Sequence, residues 1–160
     1  MNAPSQSHAL KLAPGFTYDA SQIEWRTFFT PGTWYRLLHV DVEARTADML
    51  VKFEPQSECM YHRHAACTST LVLSGELRVR EQVDGAELIK VKPAGSYSHG
   101  GEGEIHIEGS GDEEAVIFFG MRSENDVIYE LLNADLSLKR PVTVQDFYRD
   151  WCERGPADVR

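Results

Sequence analysis

Tyr61-His62-Arg63-His64 is the stretch on which the reading of this chain turns. Side chains alternate faces along a strand, so two histidines one residue apart point the same way. A third histidine closes the glycine-rich approach Gly100-Gly101-Glu102-Gly103-Glu104-Ile105-His106. Ile105 and Ile107 alternate with His106; if they pack outward, His106 points in. Neutral imidazoles gathered on one interior face suit Fe, Zn, Ni or Cu.

Outward from that stretch the pattern is short strands between turns. Trp34–Val40, Ala47–Phe53, Thr68–Leu73, Glu76–Arg80, Glu87–Val91, Glu114–Phe119 and Asp126–Asn133 read as strands. Ser74-Gly75, Pro93-Ala94-Gly95 and, above all, Asp84-Gly85 read as turns, because Asp-Gly suits the positive φ angles of a two-residue hairpin. Many short strands at close spacing predict an all-β sandwich or small barrel. One helix is expected, at the end: Thr143 can cap it, Val144, Phe147, Tyr148 and Trp151 form one stripe, and Gly155-Pro156 stops it.

At 160 residues, one domain is expected, preceded by a loose arm over 1–15. The domain then occupies 16–160. A formal net charge of -9 argues against a nucleic-acid backbone or an anionic membrane as partner. No apolar run is long enough to span a bilayer. Cys59, Cys67 and Cys152 are too few and too odd for a disulfide framework, which points to the cytoplasm. Cys59 and Cys67 also bracket the histidines as Cys-x2-His-x-His-x2-Cys, but that spacing matches no zinc finger, and core packing is the simpler reading.

The ordered set of motifs resembles a cupin: His62-Arg63-His64, then Gly75, then Pro93-Ala94-Gly95, then His106. The resemblance runs from Trp34 to Arg122. It implies a double-stranded β-helix of jelly-roll type with a metal inside the barrel, and the sequence adds the short C-terminal helix. Two departures stand out. Thr68 occupies the place, seven before Gly75, where most metal cupins carry a glutamate ligand. The second motif is stretched, with His99 one place beyond the usual histidine and His106 further on.

The stretched form is similar to small cupins that cleave acetylacetone and dihydroxyacetophenone with dioxygen, and to the cupin domain of zinc-binding anti-sigma factors. That resemblance implies a divalent transition metal, Fe(II) ahead of Zn or Ni, held by His62, His64 and His106. His99, ahead of Glu104, is the candidate fourth ligand, with a solvated residue of a long loop as the alternative for either. Arg80 is a candidate to orient an anionic substrate oxygen, with a solvated charge as the alternative, and Thr68 to bond a metal-bound water. Three neutral histidines would leave the ion's charge uncompensated and favour the enolate of a β-diketone or a hydroxyketone, with dioxygen as co-substrate. A homodimer is expected, with the aromatic stretch Trp25–Phe29 as contact. The alternative is a metal-binding sensor without turnover.

Overall fold

The computed structural model describes residues 18–154. The arm expected over 1–15 and the Gly155-Pro156 stop lie outside them. Strand β1 is Arg26–Thr27, β2 Thr33–Asp41, β3 Thr46–Phe53, β4 His62–His64, β5 Cys67–Ser74 and β6 Glu76–Val83. Then come β7 Ala86–Pro93, β8 Tyr97–Gly100, β9 Ile105–Gly109, β10 Ala115–Arg122, β11 Val127–Leu132 and β12 Leu138–Thr143. Helix α1 spans Val144–Arg154. The strands form two six-stranded sheets, ordered β1-β2-β3-β10-β5-β8 and β12-β11-β4-β9-β6-β7. All pairings are antiparallel, the jelly-roll arrangement expected.

Alternation explains which sheet face is inside. On β3 every second residue, Ala47, Met49, Val51 and Phe53, is buried. On β10 the buried set is Ala115, Ile117, Phe119 and Met121. The register matches them in pairs, Met49 with Phe119 and Val51 with Ile117, so two apolar rows face the same interior. Leu77 and Val79 from β6 and Leu131 from β11 answer from the opposite sheet. Full burial of each such side chain is worth about 1.5–3 kcal/mol.

Two strands escaped the sequence reading. β8 carries Tyr97 and His99 at a sheet edge, and β12 contains Pro141. An edge strand tolerates proline because a missing N–H there breaks no ladder. α1 begins at a capping pair: Asp146 N–H donates to Thr143 Oγ1 (3.1 Å), and Thr143 N–H to Asp146 Oδ2 (2.9 Å). Val144, Phe147 and Trp151 are buried as the stripe requires, whereas Tyr148 is 40% exposed. The helix also fastens the N-terminal strand, through Arg26 to Asp150 (2.5 Å) and Tyr35 to Asp150 (2.8 Å).

Turn chemistry fixes two connections. Asp84 and Gly85 both have positive φ, 51° and 79°, as a hairpin joining β6 and β7 demands. Gly75 also has positive φ, 67°, but it links strands of different sheets. A Cβ there would sit 2.2 Å from the Glu114 carbonyl oxygen, whereas one at Gly85 would meet nothing within 4 Å. Gly85→Ala is therefore expected to cost about 1–2 kcal/mol from backbone strain alone. Gly75→Ala should cost about 3 kcal/mol or more, since backbone must move. Urea unfolding of the two variants checks this; equal losses would contradict it.

Candidate metal centre

β4 and β9 lie side by side with His62 directly opposite His106. Opposite residues of an antiparallel pair share a face, and period two adds the next residue but one on each strand. That face therefore carries His62, His64, His106 and Glu108. All four are buried, at 4–8% exposure. One donor atom from each lies within 4.8 Å of every other. His62 Nε2 and His64 Nε2 are 3.1 Å apart; His62 Nε2 is 3.4 Å from Glu108 Oε2, and His106 Nε2 3.7 Å from Glu108 Oε1. Tyr129, on β11, closes one side, its ring 5.6 and 5.5 Å from those of His62 and His64.

Hydrogen bonds behind the rings decide which nitrogen faces the cluster. His62 Nδ1 lies 3.1 Å from the Met60 carbonyl oxygen, an acceptor only, so Nδ1 carries a proton there. Thr68 donates its hydroxyl hydrogen to the Ala66 carbonyl (3.1 Å) and so accepts from His64 Nδ1–H (3.2 Å). Both Nε2 atoms are thereby turned inward. These two atoms, 3.1 Å apart, share a positive charge, either a proton on His62 or a bound ion. Two nitrogens bound to one ion at ~2.0–2.1 Å are themselves about 3 Å apart. His106 supplies a second sign of fit: neither ring nitrogen has a hydrogen-bond partner although both are buried. The donor set suits a divalent transition metal.

The charges agree. Burial drives His64 down to about 3, helped by the neighbouring rings of His62 and His106. His106 is lowered for the same leading reason. Burial works to raise the Glu108 carboxyl, but the hydrogen bond from His62 and the charges of the three histidines overcome it and hold Glu108 ionised. Burial also opposes charge on His62, yet Cys59, 3.5 Å from Nδ1, and Glu108 prevail and raise it. Neutral His64 and His106 and an anionic Glu108 are the forms a metal needs, and an ion would take the place of the proton on His62.

Of the residues singled out from sequence, His62, His64 and His106 come together. His99 does not: it lies on β8 in the other sheet, exposed, with Nδ1 2.9 Å from Ser69 Oγ and Nε2 3.5 Å from Cys67 Sγ. Arg80 is also elsewhere. Register pairs it with Ile107 on the outer face, while Val79 pairs with Glu108 inside. Its guanidinium meets Glu58 (2.6 Å) and Glu87 (3.3 Å). Thr68 meets the centre through the far side of His64, where it sets the tautomer of that ring. Glu104 stands 3.9 Å from His106 Nδ1, opposite Glu81 at 4.0 Å, behind the ring. Glu108 was missed, although His106-Ile107-Glu108 places it on the face of His106 by the same parity that joined His62 to His64.

A chamber adjoins the cluster, lined by His62, Glu108, Cys59, Tyr129 and a wall of Phe, Met, Val and Leu. No lysine or arginine lines it.

A jelly roll with imidazoles on adjacent interior strands defines the chain as a cupin. The model of the ChrR cupin-like domain matches residues 14–124, and the chain belongs to that family. Solved structures similar to it include an acetylacetone dioxygenase from Acinetobacter johnsonii, 15% identical, with TM-score 0.72 over 96% of this chain and 99% of that one. An RmlC-like cupin protein from Ralstonia eutropha JMP134 is 15% identical, with TM-score 0.69 over 84% and 83%. A Bacillus subtilis oxalate decarboxylase variant aligns with TM-score 0.54 at 16% identity over 68% of this chain and 29% of that one. At such identities these likenesses carry the fold alone. No protein of curated function matches the sequence. No helix among the described residues is long and apolar enough to cross a membrane.

Two substitutions separate the donors from their support. Thr68→Val removes the acceptor that fixes His64 and should weaken Zn(II) affinity about tenfold or more, with Thr68→Ser restoring it. Glu108→Gln should weaken it further. Competition titration with a chromophoric chelator reads both; unchanged affinity in Glu108→Gln would remove the carboxylate from the centre.

Proposed function

We propose that this cupin is a non-haem dioxygenase, working with Fe(II), that cleaves a C–C bond of a β-diketone or hydroxyketone. The observation that carries the reading is the position of the donor cluster at one end of an apolar chamber without cationic residues. A divalent ion held by His62, His64, His106 and Glu108 would supply Lewis acidity to the substrate and the redox chemistry with dioxygen. The remaining work falls to the protein. The apolar wall excludes water and favours substrates that are uncharged beyond their chelating end. Thr68 and the Met60 carbonyl hold the His64 and His62 rings in one tautomer. Glu108, kept ionised, is in the form that binds an ion. Cleavage that inserts both atoms of dioxygen yields an acid and a second carbonyl fragment, and needs no external reductant.

Glu108 changes the charge argument drawn from three neutral histidines. The carboxylate offsets part of the ion's charge, so preference for an anionic enolate weakens, and shape and polarity of the chamber matter more. Arg80, paired with two glutamates on the outer face, has no part in this version.

The four-donor set supports a second reading, a metal-binding module without turnover. Four protein donors can fill a tetrahedral ion completely, as in structural sites. The working assembly is a homodimer in the cytoplasm. The stretch once expected to make its contact is engaged within the chain, with the guanidinium of Arg36 4.4 Å from the Trp25 ring centre.

Oxygen uptake separates the two readings. Protein reconstituted anaerobically with Fe(II) and given pentane-2,4-dione in air should consume one dioxygen per diketone, and His106→Ala should not. Tight Zn(II) with no uptake on any diketone or hydroxyketone would favour the module.

A further inference from the structure

The chamber beside the cluster is small. As the chamber stands, its volume is about 30 Å³, room for one or two waters, so a diketone enters only when the Phe28–Phe29 wall moves. On its outer side lies a second cavity of about 260 Å³, open to the surface and lined by Tyr35, Arg140, Asp146, Phe147 and Asp150. Phe28 and Phe29 line both cavities. The pair is therefore the partition between a roomy vestibule and a tight metal chamber.

We infer that Phe28 and Phe29 form a gate through which a small, uncharged molecule passes from the vestibule to the metal centre. This rests on reading the centre as one that receives a substrate.

The way the pair is held fits that role. The segment is anchored on both sides, and between the anchors its rings are held by side-chain packing. Before it, β1 is only two residues long and pairs through Arg26 with Tyr35 and Thr27 with Trp34. Arg26 is tied to Asp150. After it, Thr33 Oγ1–H donates to the Thr30 carbonyl (2.5 Å) and Thr30 Oγ1–H to the Glu58 carbonyl (3.0 Å), fixing the turn at Pro31-Gly32. Phe28 keeps one backbone bond, from its N–H to the Thr33 carbonyl (2.8 Å).

The rings rest on each other, centres 4.4 Å apart, on Tyr35 at 5.0 Å, and under the Arg140 guanidinium at 5.7 Å. Both rings are half-buried, at the margin of the core. Such contacts are individually weak, and a short segment between firm anchors can open without disturbing the sheets. The vestibule carries charge in Arg140, Asp146 and Asp150, while the wall behind the rings is apolar apart from His62 and Glu108. A charged molecule would lose its hydration at the rings before it reached the centre.

Cys59 lines the inner chamber and not the vestibule, so its thiol reports passage. N-ethylmaleimide is small, flat and uncharged. Its rates of addition to Cys59 and to exposed Cys152 are read separately by peptide mass spectrometry on the full chain, with and without metal. Cys59 is expected to react more slowly than Cys152. Phe28→Ala and Phe29→Ala should each speed Cys59 by about tenfold and leave Cys152 unchanged. Phe29→Trp should slow Cys59. A variant that loses its fold is recognised by circular dichroism, and the decision then falls to Phe29→Trp. A Cys59 rate unmoved by all three substitutions, or equal to that of Cys152 in the wild type, would overturn the gate. Labelling needs neither metal nor turnover, so failure of oxygen uptake would count against the dioxygenase and leave the gate standing.

Discussion

Three imidazoles and a carboxylate buried on one face of a sheet need a positive charge to share. Buried polar groups without partners cost free energy, and two lone pairs turned toward each other cost more. Here Glu108 is anionic, His64 and His106 are neutral, and His62 is pressed toward protonation by Cys59 and Glu108. The proton on His62 is what the cluster uses when nothing else is present. A divalent cation answers the same need with all four donors at once. The register that sets His62 against His106 creates this demand, and the rest of the barrel holds it in place.

That support is distributed. Tyr129, at van der Waals range of both β4 histidines, is pushed well above its ordinary range by burial and by Glu108, so it stays a neutral wall. Its hydroxyl is directed at the Met121 sulfur (2.9 Å), away from the cluster. Cys59 takes a hydrogen bond from the Glu108 N–H (3.3 Å), linking the loop before β4 to the end of β9. The donors thus sit on two short central strands flanked by longer ones, and the precision comes from rigid elements rather than loops.

Much of this was legible in the sequence. Period two alone joined His62 to His64, the alternating isoleucines turned His106 inward, and Asp84-Gly85 gave its hairpin. What was missed has a common cause. Parity says which residues share a face of one strand, but only register says which strands are neighbours. His99 stands close to the expected motif position, yet its strand pairs with β5 in the other sheet. Arg80 has the right spacing from Gly75, yet pairing with Ile107 turns it outward. Glu108 is the instructive case, because parity from His106 was sufficient to include it. The usual glutamate position is held here by Thr68, and the carboxylate arrives instead from the second motif. Thr68 keeps a place in the centre as the acceptor behind His64.

The central claim is that one divalent ion is shared by three imidazoles and the Glu108 carboxylate. X-ray absorption at the zinc edge of Zn(II)-loaded protein tests it most directly. The account predicts only nitrogen and oxygen neighbours at ~2.0–2.2 Å, with the outer-shell scattering of three imidazole rings. A sulfur neighbour at about 2.3 Å would mean that Cys59 binds the ion, and fewer than three imidazoles would mean that the paired strands do not hold one centre.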